Sequence, residues 1–397
     1  MHNRKLLVAV GLALVISAII PAAGSARADA ARAVAAPRVT VVPANLVPGQ
    51  LFGVAATSAS DAWVVGTTST VPDPNQGTAL IRHWNGSVWT QLPSPVPASS
   101  SLAAVAATSS SNAWAVGTAN GRTLILRWNG SVWTRVPSPA PGRSSSLSGV
   151  TAISPTNAWA VGSQTTASFA ARMLTLHWNG RVWKRVPTPN LPQHFEGFLS
   201  GVSAASARNI WAVGSMTNCG CGPGIAVILH WNGRTWKRRH VSTRGGYSLR
   251  GVTAVSARRA WVVGTTGEGD SPTRAQTARF NGRVWKTVRT PSPGARGKLF
   301  DSLAAVAATS PRNAWTVGST GDAILIERWN GSAWKRVPGT ITFPPPDPGV
   351  RPAAHTDRLS GVAATSPGNA WAVGSVFVDR TQSYLSVILH WNGTAWT

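Results

Sequence analysis

The chain has 397 residues, 37 Lys and Arg against 12 Asp and Glu, a formal net charge of +25, and 12% charged beside 43% hydrophobic residues. That balance excludes a disordered chain, and with 39 glycines and 28 prolines it points to a turn-rich β protein with a large core. The positive excess favours polyanions as a class, whether nucleic acid, acidic lipid or wall polymer, without choosing among them.

Residues 1–28 read as a secretory signal. Arg4 and Lys5 precede an apolar run from Leu6 to Ile20, Pro21 breaks it, and Ala26-Arg27-Ala28 offers a small-x-small site with cleavage expected before Asp29. The alternative, an uncleaved anchor, needs about 20 apolar residues to span a bilayer. Loss of Arg4, Lys5 and Arg27 lowers the charge by three, to +22. No later stretch is apolar enough to cross a membrane. The expected product is therefore a freely secreted monomer, extracellular or held non-covalently at the cell wall. Residues 29–50 are expected to form a linker and a ring-closing strand, and residues 51–397 a single domain.

Within that domain Ala-Trp-x-Val-Gly recurs at Trp63, Trp114, Trp159, Trp211 (after Ile210), Trp261, Trp315 and Trp371, 45 to 56 residues apart. Behind each comes Trp-Asn-Gly-x-x-Trp, with tryptophan pairs 84 and 89, 128 and 133, 178 and 183, 231 and 236, 329 and 334, 391 and 396; in the fifth copy Phe280 precedes Trp285. These slots account for all 20 tryptophans. Alternation and β-branched content predict four strands per copy, as at Leu359–Ser366, Asn369–Ser375, Val387–Trp391 and Thr394–Thr397. Asn-Gly predicts a type I′ hairpin in which Trp84 faces Ser87 and packs diagonally on Trp89.

The first strand is small in side chain, as in Leu102-Ala-Ala-Val-Ala-Ala-Thr-Ser109, which suits a crowded centre. The fourth ends in Val-Pro-Ser-Pro or a relative, which suits an outer edge because proline cannot donate to a ladder. Seven such copies predict an all-β, seven-bladed β-propeller of four-stranded antiparallel blades. A stacked solenoid is the alternative, and it calls for atypical capping repeats. Copy seven lacks the Val-Pro-x-Pro tail, while Val39-Thr-Val-Val-Pro43 resembles it, so residues 38–43 are expected to complete the last blade.

The Ala-Trp-x-Val-Gly strand followed by an Asn-Gly turn and a tryptophan resembles the repeats of photosystem-assembly propellers, Asp-box (sialidase-type) propellers and, more loosely, kelch propellers, and also those of secreted bacterial Trp-rich proteins. The resemblance covers residues 51–397 and implies a propeller. An assembly-factor role follows only from the first likeness. An Asp-box reads Ser-x-Asp-x-Gly-x-x-Trp where this chain reads Trp-Asn-Gly-x-x-Trp, so sialidase chemistry is not implied.

Antiparallel strands send the nearly invariant Ser-Pro-x-Asn and Asn-Gly turns to one face of the disc and the connections that vary in every copy to the other, where binding sites are usually found. Nine of the twelve acids (Asp73, Glu196, Glu268, Asp270, Asp301, Asp322, Asp347, Asp357 and Asp379) and the aromatics Phe169, Phe195, Phe198, Tyr247, Phe300, Phe343, Phe377 and Tyr384 fall on that variable face. They form either a platform for sugar rings or a peptide, or a set of loop anchors with solvated acids. Lys184, Arg185, Lys237, Arg238, Arg239, Lys286, Lys335 and Arg336 follow the last tryptophan of their copies on the outer strand. There they protect an exposed edge or adhere to an anionic polymer.

His83, His177, His230 and His390 share one slot, filled by Arg127, Arg279 and Arg328 elsewhere, and so read as structural rather than metal-binding. Cys219 and Cys221 are expected to form a local disulfide, metal binding needing two further ligands. The sequons at Asn85, Asn129, Asn330 and Asn392 are accounted for by the turn. No cofactor, catalytic residue or specific nucleic-acid motif is found. The function expected is a non-catalytic binding or scaffold propeller that recognises carbohydrate or cell-wall polymer at its variable face, the alternatives being a glycan hydrolase or lyase and a protein-binding assembly factor.

Overall fold

The computed structural model describes residues 47–397 apart from 72–75, 97, 219–223, 242–246, 268–272, 293–299, 322, 338–357 and 379–382. The proposed signal segment, residues 38–43, Phe343, Cys219 and Cys221 lie outside the described residues, as do Asp73, Glu268, Asp270, Asp322, Asp347, Asp357 and Asp379.

Seven four-stranded antiparallel sheets follow one another along the chain. Blade one is Gln50–Ala56, Ala62–Thr67, Ala79–Trp84 and Trp89–Leu92; blade two is Ser100–Ser109, Asn112–Ala119, Arg122–Trp128 and Trp133–Arg135. Blades three to six repeat this order, starting at Ser144, Phe195, Tyr247 and Asp301. Blade seven comprises Arg358–Ser366, Asn369–Val378 and Ser383–Trp391, with Val47–Pro48 on its outer edge.

The innermost strands are small because they nearly touch. A methyl added at Gly53 would lie 2.8 Å from the Cα of Ala104, and one at Gly251 3.0 Å from the Cα of Ala305. One at Gly361 would meet the carbonyl oxygen of Phe52 at 3.0 Å, so blade seven closes on blade one, which overturns the solenoid alternative. Every innermost strand carries a β-bulge at the same place, between Leu51 and Gly53 in blade one, as deduced from the register slip against its neighbour.

The three tryptophans of each copy have different tasks. The one on the second strand is fully buried and meets the hairpin pair of the next blade: Trp63 lies 5.0 Å from Trp128 and 5.2 Å, edge to face, from Trp133. The ring of contacts closes with Trp371 on Trp84 and Trp89 at 5.5 and 5.3 Å. The first tryptophan of the hairpin ties its indole N–H to the turn of its own blade, as Trp128 Nε1 donates to the Ser110 carbonyl at 2.9 Å. The near-perpendicular pairs, such as Trp114 with Trp183 at 90°, aim an edge of one ring at the face of the other, an N–H···π arrangement that suits buried indole nitrogens with no conventional acceptor.

One expectation is corrected. Trp84 pairs directly with Trp89, not with Ser87. The turn spans Asn85 to Val88: the Asn85 side-chain oxygen accepts from the N–H groups of Ser87 and Val88, both at 3.0 Å, and Gly86 alone has positive φ, +99°. The asparagine side chain thus replaces the main-chain acceptor of a two-residue hairpin. The sequon hydroxyls also donate to this oxygen, as Ser87 does at 2.9 Å.

Closure falls within the expected span 29–50. The described closing strand is Val47–Pro48, paired with Ser386 and Leu385, where blade two carries Ser138 and Pro139. Chain ends share this edge end to end. Trp396 bridges Trp391, Thr397 exchanges two backbone hydrogen bonds with His390 at 2.8 and 2.9 Å, and Ser386 Oγ donates to the Gly49 carbonyl at 3.1 Å.

Trp371→Ala, which empties the closing interface, is expected to lower unfolding free energy by about 3–5 kcal/mol in denaturant titration. An effect below about 1 kcal/mol would show that closure does not depend on this ring.

Candidate functional site

The slot before the third-strand tryptophan covers the buried tryptophan of its own blade. His83 stacks on Trp63 at 4.1 Å and His390 on Trp371 at 4.0 Å, while the Arg328 guanidinium lies 4.9 Å from the Trp315 ring centre. Partners are local as well: His83 Nε2 meets Asp61 at 2.7 Å, His177 meets Asn157 at 3.1 Å and His390 meets Asn369 at 2.7 Å. Burial holds the His177, His230 and His390 imidazoles below their ordinary range, and they sit neutral on an indole. No group of three metal-ligating side chains occurs among the described residues.

The aromatics of the variable face separate into two sets. Tyr247 is buried, and burial pushes its phenol up. Tyr384 is buried with Phe377 edge-on at 5.1 Å, and its backbone joins Thr70 to Gly49. Phe195 is half-buried against the core of blade four. These four rings anchor loops. Phe169, Phe198 and Phe300 are 68%, 39% and 50% exposed.

Acids of this face are also tied down where described. Glu196 accepts from the Ala171 N–H at 3.3 Å, and Asp301 is fully buried and accepts from Ser292. The basic residues Lys184, Arg185, Lys237, Arg238, Arg239, Lys286, Lys335 and Arg336 are exposed on the outer strands, as the sequence placed them.

One depression on the variable face, about 460 Å³ between blades two and three, is lined by polar groups and glycine, among them Ser99, Thr118, Asn120, Ser144, Ser145 and Thr165. Ser145 is 3% exposed and its hydroxyl has no hydrogen-bond partner, while its N–H donates to the Gly121 carbonyl at 2.9 Å. An unmet buried hydroxyl costs about 1–3 kcal/mol, which an incoming polar group can recover.

The same place holds left-handed backbone, in Asn120 as half of a favoured Asn-Gly hairpin turn and in Ser99 at a cost. Four non-glycine residues have positive φ among those described: Ser99 (62°), Asn120 (49°), Phe169 (64°) and His194 (65°). Ser99 and Asn120 line the depression, and Phe169 stands on the loop that continues from its wall, its N–H bonded to the Thr166 carbonyl. Arg143, bonded through its N–H to the Thr165 carbonyl, lays its guanidinium 4.3 Å from the Phe169 ring centre. Sequence reasoning found Phe169 and missed the hydroxyls, because serine is common in every copy and only folding brings these together.

Glu327 was also missed. It takes a third-strand position that is leucine in blades two, three, four and seven (Leu126, Leu176, Leu229 and Leu389), and it is fully buried. One carboxylate oxygen accepts from Thr290 and the other has no partner. Burial foremost, with the Asp301 charge adding to it, pushes the carboxyl up to about 8 against the opposing effects of Thr290 and Arg336. Thr290 and Ser292 border a cleft of about 570 Å³ between blades five and six, but neither Glu327 nor Asp301 is exposed to it. Glu327 and Asp301 are therefore enclosed rather than open to this cleft.

No family model matches the chain, and no curated protein matches its sequence. Solved structures match in three dimensions. YCF48 bound to D1 peptide has a TM-score of 0.51 at 14% identity, covering 88% of this chain and 98% of its own. U3-55K has a TM-score of 0.55 at 13% identity, covering 89% and 99%. The GH74 xyloglucanase from Xanthomonas campestris has a TM-score of 0.55 at 14% identity, covering 91% of this chain and 55% of its own. At such identities these likenesses establish the fold alone, a seven-bladed β-propeller with four-stranded antiparallel blades.

Folding raises the Glu327 carboxyl pKa, so its favourable contribution is complete below the unfolded value near 4.5 and is lost as pH rises through about 8. Glu327→Leu is expected to flatten the fall in unfolding free energy between these limits and to add on the order of a few kcal/mol at pH 8. Parallel pH profiles for variant and parent would exclude this account.

Proposed function

We propose that the protein is an exported, non-catalytic binding module that recognises carbohydrate or cell-wall polymer at the variable face. The observation that carries this reading is the depression between blades two and three, where serine and threonine hydroxyls, an unmet Ser145 hydroxyl and the left-handed Ser99 meet beside the exposed Phe169 ring. A sugar presents both a ring of hydroxyls and an apolar face, and binding sites combine a few fixed polar groups with aromatic surface. Backbone strain supports the same place, since strained residues persist where the surroundings hold them and gather at ligand sites. Export rests on the pattern of residues 1–28.

The fold also serves partners of other kinds, one neighbour being a propeller bound to a peptide and another a xyloglucanase. A protein partner is thus the second reading. It is favoured by Phe198 and Phe300, which lie exposed on the same face.

The test is binding of residues 29–397 to an array of glycans and wall polymers at low and high salt. Binding to a defined sugar that withstands salt, and that weakens about tenfold or more in Phe169→Ala and Ser145→Val, is the expected result. Binding seen only at low salt and lost with Lys237, Arg238 and Arg239 would move the site to the outer strands. Silence across the array would transfer the assignment to a protein partner.

A further inference from the structure

The innermost strands surround a central channel of about 190 Å³ lined by every blade. At the bulge position, most blades place serine or alanine on its wall, including Ser148, Ser200, Ala304 and Ser360. Blade five places Arg250 there. Two residues earlier in the strand order, at its variable-face end, blades two, three, five and six carry serine and blade seven carries Arg358.

Arg250 and Arg358 therefore approach the same end of the channel from blades five and seven. Between them blade six contributes only Ser302 and Ala304. Neither guanidinium makes a hydrogen bond or ion pair with any described residue. Both side chains are exposed, and partial burial, with the charge of Arg358 after it, holds Arg250 below its ordinary range, as a neighbouring cation does. At an exposed site this repulsion is modest, and an anion lying between the two relieves it.

We propose that the variable-face end of the channel is an oxyanion site in which Arg250 and Arg358 take a phosphate group, with the Ser148, Ser200 and Ser360 hydroxyls as neutral donors. Guanidinium is suited to phosphate because its planar fork donates two parallel N–H···O bonds. The channel has room for a small oxyanion with a few waters, at about 30 Å³ per water. Phosphate could arrive as the free ion or as a group on a polymer. The site shares no residue with the hydroxyl-lined depression, so it goes beyond the carbohydrate reading and stands or falls separately.

Titration calorimetry with inorganic phosphate and, separately, with a glycerol-phosphate oligomer, together with thermal unfolding in phosphate and chloride at equal ionic strength, tests the proposal. The expected result is phosphate binding that weakens about tenfold or more in Arg250→Gln and in Arg358→Gln, with no change in Arg234→Gln on the opposite face. In chloride, Arg250→Gln is expected to unfold at or above the parent temperature, because a repulsion is removed. Binding of the oligomer alone, again lost in both variants, would assign the site to a polymer-borne phosphate. Should Arg250→Gln not fold, Arg250→Lys keeps the charge and loses the fork, and the same weakening is expected. Equal responses to phosphate and chloride, or a phosphate response that survives in both arginine variants, would overturn the proposal.

Discussion

Packing of one buried tryptophan against the aromatic pair of the next blade is the interaction on which this molecule depends. A four-stranded sheet with two apolar faces cannot stand alone, and each face here is covered by a neighbour that carries the complementary half of the same motif. Trp159 meets Trp231 and Trp236, Trp211 meets Phe280 and Trp285, and Trp315 meets Trp391 and Trp396. The repeat is thus a description of an interface as much as of a blade. Phe280 shows how narrow the tolerance is: it keeps the tilted contact at 4.8 Å but has no indole N–H for the turn of its own blade.

Because contacts propagate from blade to next blade, the ring has one weak point, where the chain ends meet. Two short pieces share the outer edge of blade seven there. Trp396 holds one half by filling the slot beside Trp315, and Val47–Pro48 hold the other through backbone pairing and the Ser386 hydroxyl. Together these contacts tie the N-terminal side of the described domain to blade seven.

The repeat made the fold legible, including blade number, the order of strands from centre to rim, and the structural role of the histidine slot. What it could not convey was geometry that depends on side chains competing with backbone. Asn-Gly suggested a two-residue turn, yet Asn85 Oδ1 takes the Val88 N–H and lengthens the loop. At the candidate site the aromatics were found by composition, but the difference between Tyr247, fully enclosed, and Phe169, largely open, arises from how each loop folds back on its neighbours.

A repeated chain also supplies its own control. Where most copies agree on a residue, the physical demand of that slot is known, and a copy that departs from it accepts a cost that needs a reason. Glu327 in a leucine slot, Arg250 in a serine or alanine slot and Phe198 in a slot otherwise mostly serine are such departures. The first is enclosed between blades and bears on stability. The other two lie at the variable-face end of the central strands, the region where the depression, the strained residues and the exposed rings are also found. Packing at these slots is met in most other copies by smaller, neutral side chains, so neither Arg250 nor Phe198 is required by the fold itself.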